Sequence, residues 1–392
     1  MSQTSADNTR MRALKLIRRS DGISRSELAS LMGLTKAALT PVAADLLQNG
    51  FLIEKKQDGD RRGRPNFGLW LVPGAAYALS ALVWTDGSVL FEVVDLGGSA
   101  VLSSSARLGS LRNPQEFSHQ LAEALAEIVD RAGLPAHALR HLAMVLPARI
   151  DRRKGIVHWL TPGSAHAPFG LGEFLQDRLG IATTIDNRTT VLARGEHWFG
   201  SGHGSENFSF IGLVGRGINA ARYVDGQLQT GANGIGSEFA HTKLAFEAGR
   251  PCHCGGSGCT IAYASVIAIA QTYAGASKVT ASSIQEVDHW YHAAQTDALA
   301  GNETAVSVFE AAGRALGAAT ASHINGLDPG RVIIGIDRPE LLRLIRPSFD
   351  KVLASELLPE LHETTITELR LVSQTDYRLG ATSFALEQIY RG

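Results

Sequence analysis

Strand-like and helix-like segments alternate along the chain beyond residue 70, and this alternation constrains the fold more than any other feature of the sequence. The strand-like runs include AYALSALVW, SVLFEVVDL, HLAMVLPARI, FSFIGLVG and RVIIGID, and helical stretches such as PQEFSHQLAEALAEIVDRAG separate them. Such alternation predicts an α/β body. Because a body of about 300 residues exceeds what one hydrophobic core commonly holds, we expect it to divide into two lobes with a cleft.

The composition excludes several other classes of protein. Hydrophobic residues make up 44% of the chain and charged residues 19%, which is ordinary for a globular protein. No apolar run approaches the roughly 18 residues that a membrane helix requires, and the N-terminal MSQTSADNTRMR lacks the apolar core of a secretory signal. We therefore expect a cytoplasmic protein without a membrane partner, in which clustered cysteines indicate metal binding rather than disulfides.

The first 70 residues differ in charge from the rest of the chain. They hold 12 Lys/Arg against 7 Asp/Glu, whereas the remaining residues hold 25 against 31. A basic head on an acidic body indicates a polyanionic partner for the head. The plain alternative is a solvated charged face.

Three short helices followed by a hairpin are predicted within this head. Met11, Leu14 and Ile17 lie at three-residue steps and form one apolar stripe. Ser24 and Glu27 form a capping-box pattern that starts a second helix, a third helix runs from about residue 35 to residue 48, and FLIEKKQDGDRRGRPNFGLWLV is typical of strand, polar turn and strand. This order predicts a winged helix-turn-helix, whose third helix enters a DNA major groove.

Double-stranded DNA is therefore the expected partner of the head. We expect side chains of the second and third helices and of the wing to lie near base edges, phosphates or a narrow minor groove. These residues are Arg25, Thr35, Lys36, Ala37, Thr40, Arg61, Arg62 and Arg64. A small helical protein-interaction module is the alternative. Pro41 falls inside the third helix, so either the helix kinks there or Thr40 caps a helix that begins at Pro41.

All three cysteines lie within eight positions, in the segment PCHCGGSGCT. Cys252, Cys254 and Cys259 follow His241, and three thiolates with one imidazole suit a tetrahedral, structural zinc ion. The glycines of the segment let a short loop wrap the ion. Three reduced thiols without an ion are one alternative. A set that exchanges His241 for His253 is another, although His253 lies between two ligands and would strain the loop.

Three stretches of the sequence resemble the ROK family, which groups bacterial sugar-responsive repressors with sugar kinases. They are SRSELASLMGLTKAALTPVAADLLQNGFLIEKKQDGDRRGRPN, then GANGIGSEFAHTKL followed by CHCGGSGCTIAYAS, and HINGLDPGRVIIG. The resemblance covers nearly the whole chain and implies a two-lobed, actin-like ATPase fold for the body. The winged head is similar to the repressor branch, because the family's kinases lack it.

The resemblance also implies the domain boundaries. The expected domains are residues 1–70, a first lobe of residues 71–190 with the C-terminal helix 377–391 packed on it, and a second lobe of residues 191–376 with the metal site. In the family the metal ligands occupy the positions of His241, Cys252, Cys254 and Cys259. A glutamate and a histidine that border the sugar match Glu238 and His241.

The residues that a sugar kinase needs are replaced at several positions. The family's base is the aspartate of an Asn-Asp pair, which falls on Asn187-Arg188 when Gly195-Glu196 fix the register. Arginine cannot accept a proton at neutral pH, and Asp186 lies one position early. The first phosphate loop is missing, the second (GRGINAARYVDG) is only partly similar, and an isoleucine at position 336 stands where the kinases have a glycine. We therefore expect no phosphoryl transfer.

The expected ligand of the body is a sugar or a sugar derivative. Arg188 replaces the base, and Ile261 replaces a glutamate of the family, so the site loses two carboxylates and gains a cation. Arginine grips anions bidentately, which favours a sugar acid or a phosphosugar. The predicted ligand-binding residues are Asn187, Arg188, Glu238 and His241. In the alternative, Arg188 pairs with Glu238 and fills an unused cleft.

Together these features predict a transcriptional regulator, a repressor, with a sugar-sensing body and a structural zinc ion. Ligand would close the two lobes and alter the spacing of paired heads on a symmetric operator, which requires a homodimer or a homotetramer. A regulator controlled by a protein partner, with a vestigial sugar cleft, is a second hypothesis. An ATP-dependent sugar kinase is the third and least favoured.

Overall fold

The computed structural model describes residues 3–56, 67–109, 111, 113–135, 137–159 and 168–391. Within these ranges it describes the side chains of all residues except 3–7 and 159. The chain divides into two compact units. Unit 1 comprises Met1–Asn187 and Ala381–Gly392, and unit 2 comprises Arg188–Gly380.

The N-terminal part of unit 1 consists of three helices and a small sheet. Its elements are α1 (Gln3–Arg18), β1 (Ile23–Ser24), α2 (Arg25–Leu31), α3 (Lys36–Gln48), β2 (Leu52–Lys56) and β3 (Phe67–Leu71). β3 lies between β1 and β2 and is antiparallel to both. The apolar stripe of Met11, Leu14 and Ile17 is buried, as the three-residue spacing predicts.

Side-chain caps fix where α2 and α3 begin. The Ser24 hydroxyl accepts the backbone N–H of Glu27 at 3.2 Å, and the Thr35 hydroxyl accepts that of Ala38 at 3.2 Å. Such caps satisfy N–H groups that have no partner within the helix. α3 therefore begins at Lys36 and continues through Pro41, so of the two alternatives left open by the sequence, a helix that begins at Pro41 is wrong.

The first five-stranded sheet also belongs to unit 1. The elements around it are β4 (Tyr77–Val83), β5 (Ser88–Asp95), β6 (Ala100–Arg107), α4 (Pro114–Ala132), β7 (Leu139–Leu146), β8 (Arg149–Asp151), β9 (Ile156–Trp159), α5 (Leu171–Leu179) and β10 (Thr183–Asn187). The strand order is β10-β7-β4-β5-β6. β4, β5 and β6 are antiparallel neighbours, whereas β7 is parallel to β4 and β10 is parallel to β7.

The second five-stranded sheet lies in unit 2. Its strands and helices are α6 (Arg188–Phe199), β11 (Phe208–Val214), β12 (Gly217–Val224), β13 (Gln227–Leu228), α7 (Ile261–Ala264), α8 (Val266–Ala276), α9 (Ile284–Leu299), α10 (Glu303–Leu327), β14 (Arg331–Ile336), α11 (Pro339–Glu356), α12 (Pro359–Thr364) and β15 (Ile366–Leu371). The order is β13-β12-β11-β14-β15, again with three antiparallel and two parallel strands. A core of buried apolar residues from helices α8 to α11 covers this sheet.

The last helix, α13 (Gln374–Arg391), begins in unit 2 and ends in unit 1. Within unit 2, Gly195 of α6 meets Gly380 of α13, and a Cβ at Gly380 would lie 2.6 Å from the carbonyl oxygen of Val191 in α6, so the close approach of the two helices requires glycine at position 380. Within unit 1, the Tyr390 hydroxyl donates to the Leu96 carbonyl at 2.8 Å. Arg10 of α1 donates to the Tyr390 carbonyl at 2.9 Å, which ties α1 to the end of this helix.

Among the helices of the described ranges, none is both long and apolar enough to cross a membrane.

Candidate functional site

Four potential metal ligands lie together in unit 2. One ligand atom from each of His241, Cys252, Cys254 and Cys259 lies within 4.8 Å of the other three. The His241 Nδ1 and the Cys252 Sγ are 3.6 Å apart, and the sulfurs of Cys254 and Cys259 are 3.8 Å apart. Tetrahedral zinc, with Zn–S bonds near 2.3 Å and Zn–N bonds near 2.0 Å, places neighbouring ligands about 3.6–3.8 Å apart. The cluster therefore fits zinc in donor type and in spacing.

The backbone of the cysteine segment folds into a narrow loop. The Cys252 N–H donates to the Gly256 carbonyl at 2.8 Å, and Leu244 N–H donates to the Gly258 carbonyl at 2.8 Å. Gly258 has a φ of +74°, and a Cβ there would lie 1.9 Å from the Ala245 carbonyl oxygen. Glycine is therefore required at position 258, because both the left-handed backbone and the close approach of the two strands exclude a side chain.

A carboxylate lies on the other side of His241. Its Nδ1 faces the Cys252 sulfur, and its Nε2 lies 3.8 Å from the Glu238 carboxylate. A carboxylate on the second ring nitrogen favours the tautomer in which the first nitrogen can bind metal. His253 is exposed, and its Nδ1 lies 3.9 Å from the Cys252 sulfur. The four-residue group contains His241 and does not include His253.

The thiols of the loop differ in their proton affinity. Burial raises the pKa of Cys252 to about 12, whereas the backbone N–H of Gly256 lowers the pKa of Cys254. Lys243 was not singled out by the sequence analysis, yet its ammonium donates to the Cys259 sulfur at 3.2 Å. The only sequence signal for Lys243 was its position, two residues after the predicted ligand His241.

Asn187 and Arg188 are adjacent in the chain and both are buried. Asn187 ends β10, Arg188 begins α6, and each is 8% exposed. The Arg188 guanidinium lies against Gly215, since a Cβ at Gly215 would be 2.4 Å from its Nη2. The Gly215 N–H donates to the Asp337 carboxylate at 2.7 Å. Arg188 is thus held beside the turn between β11 and β12, within unit 2.

Asp186 is engaged in an internal ion pair. Its carboxylate accepts Arg152 Nε at 2.6 Å and the Asn187 N–H at 2.8 Å. Asp186 is 1% exposed. Both bonds go to the same carboxylate oxygen, Oδ1. Arg152 was missed by the sequence analysis, because no pattern within the sequence connects it to Asp186.

A cavity of about 300 Å³ in unit 2 contains a different set of charges. Arg370 pairs there with Glu196 and, at 3.0 Å, with Asp376. The Ser201 hydroxyl donates to Glu368 at 2.7 Å. Each of these groups has a protein partner, so we assign the network to the packing of α6, β15 and α13.

The predicted DNA-contacting residues lie at the second and third helices. Lys36, Ala37 and Thr40 are exposed on the first turns of α3, and the Thr40 hydroxyl donates to the Lys36 carbonyl at 2.7 Å. Thr35 is the cap of α3. Arg25 pairs with Glu54 of β2 at 3.3 Å. Arg61, Arg62 and Arg64 lie outside the described residues.

Comparisons with known proteins match both parts of the chain. The sequence profile described as ROK family matches residues 93–387, and the one described as MarR family matches residues 7–63. The DNA-binding transcriptional dual regulator NagC of Escherichia coli K12 is 26% identical over 373 residues, which are 95% of this chain and 90% of that protein.

Solved structures share the fold. The crystal structure of a ROK family transcriptional regulator, described as a homolog of E. coli Mlc, aligns with a TM-score of 0.78 at 24% identity over 100% of this chain and 97% of that chain. The ROK hexokinase of Thermus thermophilus aligns with a TM-score of 0.63 at 22% identity over 81% of this chain and 99% of that chain. The predicted fold class, a winged helix-turn-helix followed by an actin-like sugar-kinase fold, is confirmed.

Proposed function

The chain belongs to the ROK family, and from this premise we propose that it is a DNA-binding transcriptional regulator, a repressor, whose body senses a sugar-derived ligand. The observation that carries the proposal is the winged helix-turn-helix at residues 3–71, with the exposed N-terminal turns of α3. The MarR profile matches this part of the chain, and NagC, a DNA-binding regulator by its name, is similar over 95% of the chain.

The proposed DNA partner is a duplex operator contacted by α3. Lys36 is exposed at the first position of that helix, where its ammonium is available to a phosphate. We expect Lys36→Ala to weaken binding to all duplexes by a similar factor and to reduce the salt slope by about one. Fluorescence anisotropy of labelled duplexes over a series of salt concentrations measures both. Lys351→Ala, an exposed lysine of α11, is the matched control. Wild-type binding without any salt dependence would remove the DNA-binding assignment.

We propose that His241, Cys252, Cys254 and Cys259 hold a structural zinc ion. The donor set is the support, because three sulfurs and one imidazole are preferred by zinc and leave no open position for a substrate. Bound zinc would cross-link the loop of Cys252, Cys254 and Cys259 to His241. Through that histidine it would also hold Glu238 in place.

We propose that the chain has no kinase activity. Arg188 cannot act as a base, and the neighbouring Asp186 is bonded to Arg152 at 2.6 Å. A coupled ATPase assay over a panel of sugars tests this proposal. Turnover of ATP that depends on a sugar would overturn it.

The proposed effector is a sugar or a sugar derivative bound through Asn187, Arg188, Glu238 and His241. The buried cation at position 188 favours an anionic ligand, such as a sugar acid or a phosphosugar. Calorimetry with neutral and acidic sugars tests this, and neutral hexoses that bind at least as tightly as acidic ones would contradict it. By reciprocity, ligand and operator would change each other's affinity by one common factor. A symmetric operator would further require a homodimer or a homotetramer.

A further inference from the structure

Lys243 bridges two parts of the metal-binding loop with one ammonium group. Its Nζ donates to the Ser257 carbonyl at 2.5 Å and to the Cys259 sulfur at 3.2 Å. The backbones of Lys243 and Cys259 also form an isolated antiparallel bridge. The backbone of Lys243 therefore lies opposite Cys259, and its ammonium contacts both the Cys259 sulfur and the Ser257 carbonyl.

The loop leaves space for this ammonium. A Cβ at Gly256 would lie 2.9 Å from Lys243 Nζ. A larger residue at position 256 would therefore require the lysine ammonium to shift. The contact depends on a position between Cys254 and Cys259, inside the segment that the metal would close.

A cation near the cluster would offset its negative charge. A zinc ion with three thiolates and a neutral imidazole carries a net charge of −1, and the Glu238 carboxylate at 3.8 Å from His241 adds a second negative charge. Lys243 brings a positive charge to 3.2 Å from one of the sulfurs. A hydrogen bond from a charged donor to a sulfur ligand holds that ligand in place, as outer partners of metal ligands do.

We propose that Lys243 is a positioning residue of the metal centre, which orients the Cys259 sulfur through one hydrogen bond and fastens the loop through the Ser257 carbonyl. This inference rests on the proposed zinc site. It differs from a role in surface packing because it requires both the charge and the N–H donors of the side chain.

Zinc affinity of the full chain tests the proposal, measured by competition with a chromophoric chelator. We expect Lys243→Met to bind zinc about tenfold more weakly, which is the low end of the range for residues that support metal ligands and suits an exposed side chain. Lys243→Arg keeps the charge and the donors and should remain within about threefold of wild type. Lys351→Met, on the exposed face of α11, should leave the affinity unchanged.

A second measurement separates ligand support from general loss of structure. We expect iodoacetamide to alkylate the thiols of zinc-loaded Lys243→Met several times faster than those of wild type, because the Cys259 sulfur loses its hydrogen bond. If Lys243→Met fails to fold, the pair Lys243→Gln and Lys243→Arg carries the same comparison. Equal affinity of Lys243→Met and wild type, or an equal loss in Lys351→Met, would overturn the proposal. Wild-type protein that binds no zinc would instead overturn the zinc site itself.

Discussion

The two five-stranded sheets have the same strand order but carry different insertions. In each sheet three antiparallel strands are followed by two strands parallel to the first, β4 to β7 and β10 in unit 1 and β11 to β14 and β15 in unit 2. In the described residues, the connection from β6 to β7 holds one helix, α4, whereas that from β13 to β14 holds the His/Cys cluster and four helices, α7 to α10. The two units thus share one sheet topology, and the candidate metal site lies in a connection that differs between them.

The two sheets also balance charge by different means. Near the end of the first sheet, the buried Asp186 is neutralised by Arg152 at 2.6 Å. In the second, Lys243 lies 3.2 Å from the Cys259 sulfur, and the proposed zinc ion would supply the remaining positive charge. The first sheet should therefore be sensitive to the loss of one side chain, and the second to the loss of metal.

Cys259→Ser should produce the largest effect and should confine it to the second unit. Removal of one of four ligands should lower the zinc affinity by orders of magnitude. Because the free energy of metal binding contributes to the free energy of folding, the loop should also lose stability. We expect metal analysis to find almost no zinc. Hydrogen exchange followed by mass spectrometry should show faster exchange from His241 to Ala264, with unchanged protection in β4, β5 and β7.

His253→Ala is the matched control for this experiment, because His253 neighbours two of the cysteines and lies outside the four-ligand group. It should retain zinc and the protection of the loop. Retention of zinc by Cys259→Ser, or an equal loss of protection in both sheets, would contradict the separation of the two units.

Arg152→Ala should produce the reverse pattern. It leaves the carboxylate of Asp186, which is 1% exposed, without its cation, and breaking such a buried pair costs about 3–5 kcal/mol. Urea titrations monitored by pulsed hydrogen exchange should show β7 and β10 unfolding at lower urea, with β11 and β14 unchanged. Arg153→Ala, at the exposed neighbouring position, should have little effect. A cost below about 1 kcal/mol for Arg152→Ala would show that water or another group compensates Asp186.

Local features of the fold could be predicted from the sequence, because their causes lie within a few residues. The cap at Ser24 and the cysteine loop are of this kind. The repeated strand order was not predicted. The same strand order can arise in each half from the same alternation of strands and helices. Such an alternation does not require that the same residues recur, so the sequence shows no repeat.

Contacts between distant side chains could not be predicted. Arg152 and Asp186 are 34 residues apart, and Lys243 and Cys259 are 16 apart. Periodicity identifies the face of an element that is buried, and it does not identify the partner across a sheet or a loop. The course of α3 through Pro41 was likewise left open, since the cap at Thr35 and the cost of an interior proline favour different helix starts.

Two half-buried histidines, one in each unit, should give the sheets a similar and smaller sensitivity to acid. Burial lowers the pKa of His141 to about 4 in unit 1 and that of His323 to about 4 in unit 2, the latter with a smaller contribution from the positive charge of Arg222. Their Nε2 atoms lie 3.0 Å from the Thr184 hydroxyl and 2.8 Å from the Ser209 hydroxyl. Both rings are therefore neutral in the folded protein near pH 7.

The sign of the effect follows from proton binding. Between pH 6.5 and pH 4 an unfolded histidine binds a proton and the folded one does not, so the free energy of unfolding falls as the pH is lowered through this window, by up to about 3 kcal/mol per histidine. Urea titrations with pulsed hydrogen exchange at pH 7 and pH 5 measure this in each sheet. His141→Gln should reduce the pH dependence of the first sheet only, and His323→Gln that of the second only. If either variant reduced the pH dependence of both sheets, the two sheets would unfold as one cooperative structure. The two sheets would then differ in the groups that balance their charges and not in their stability.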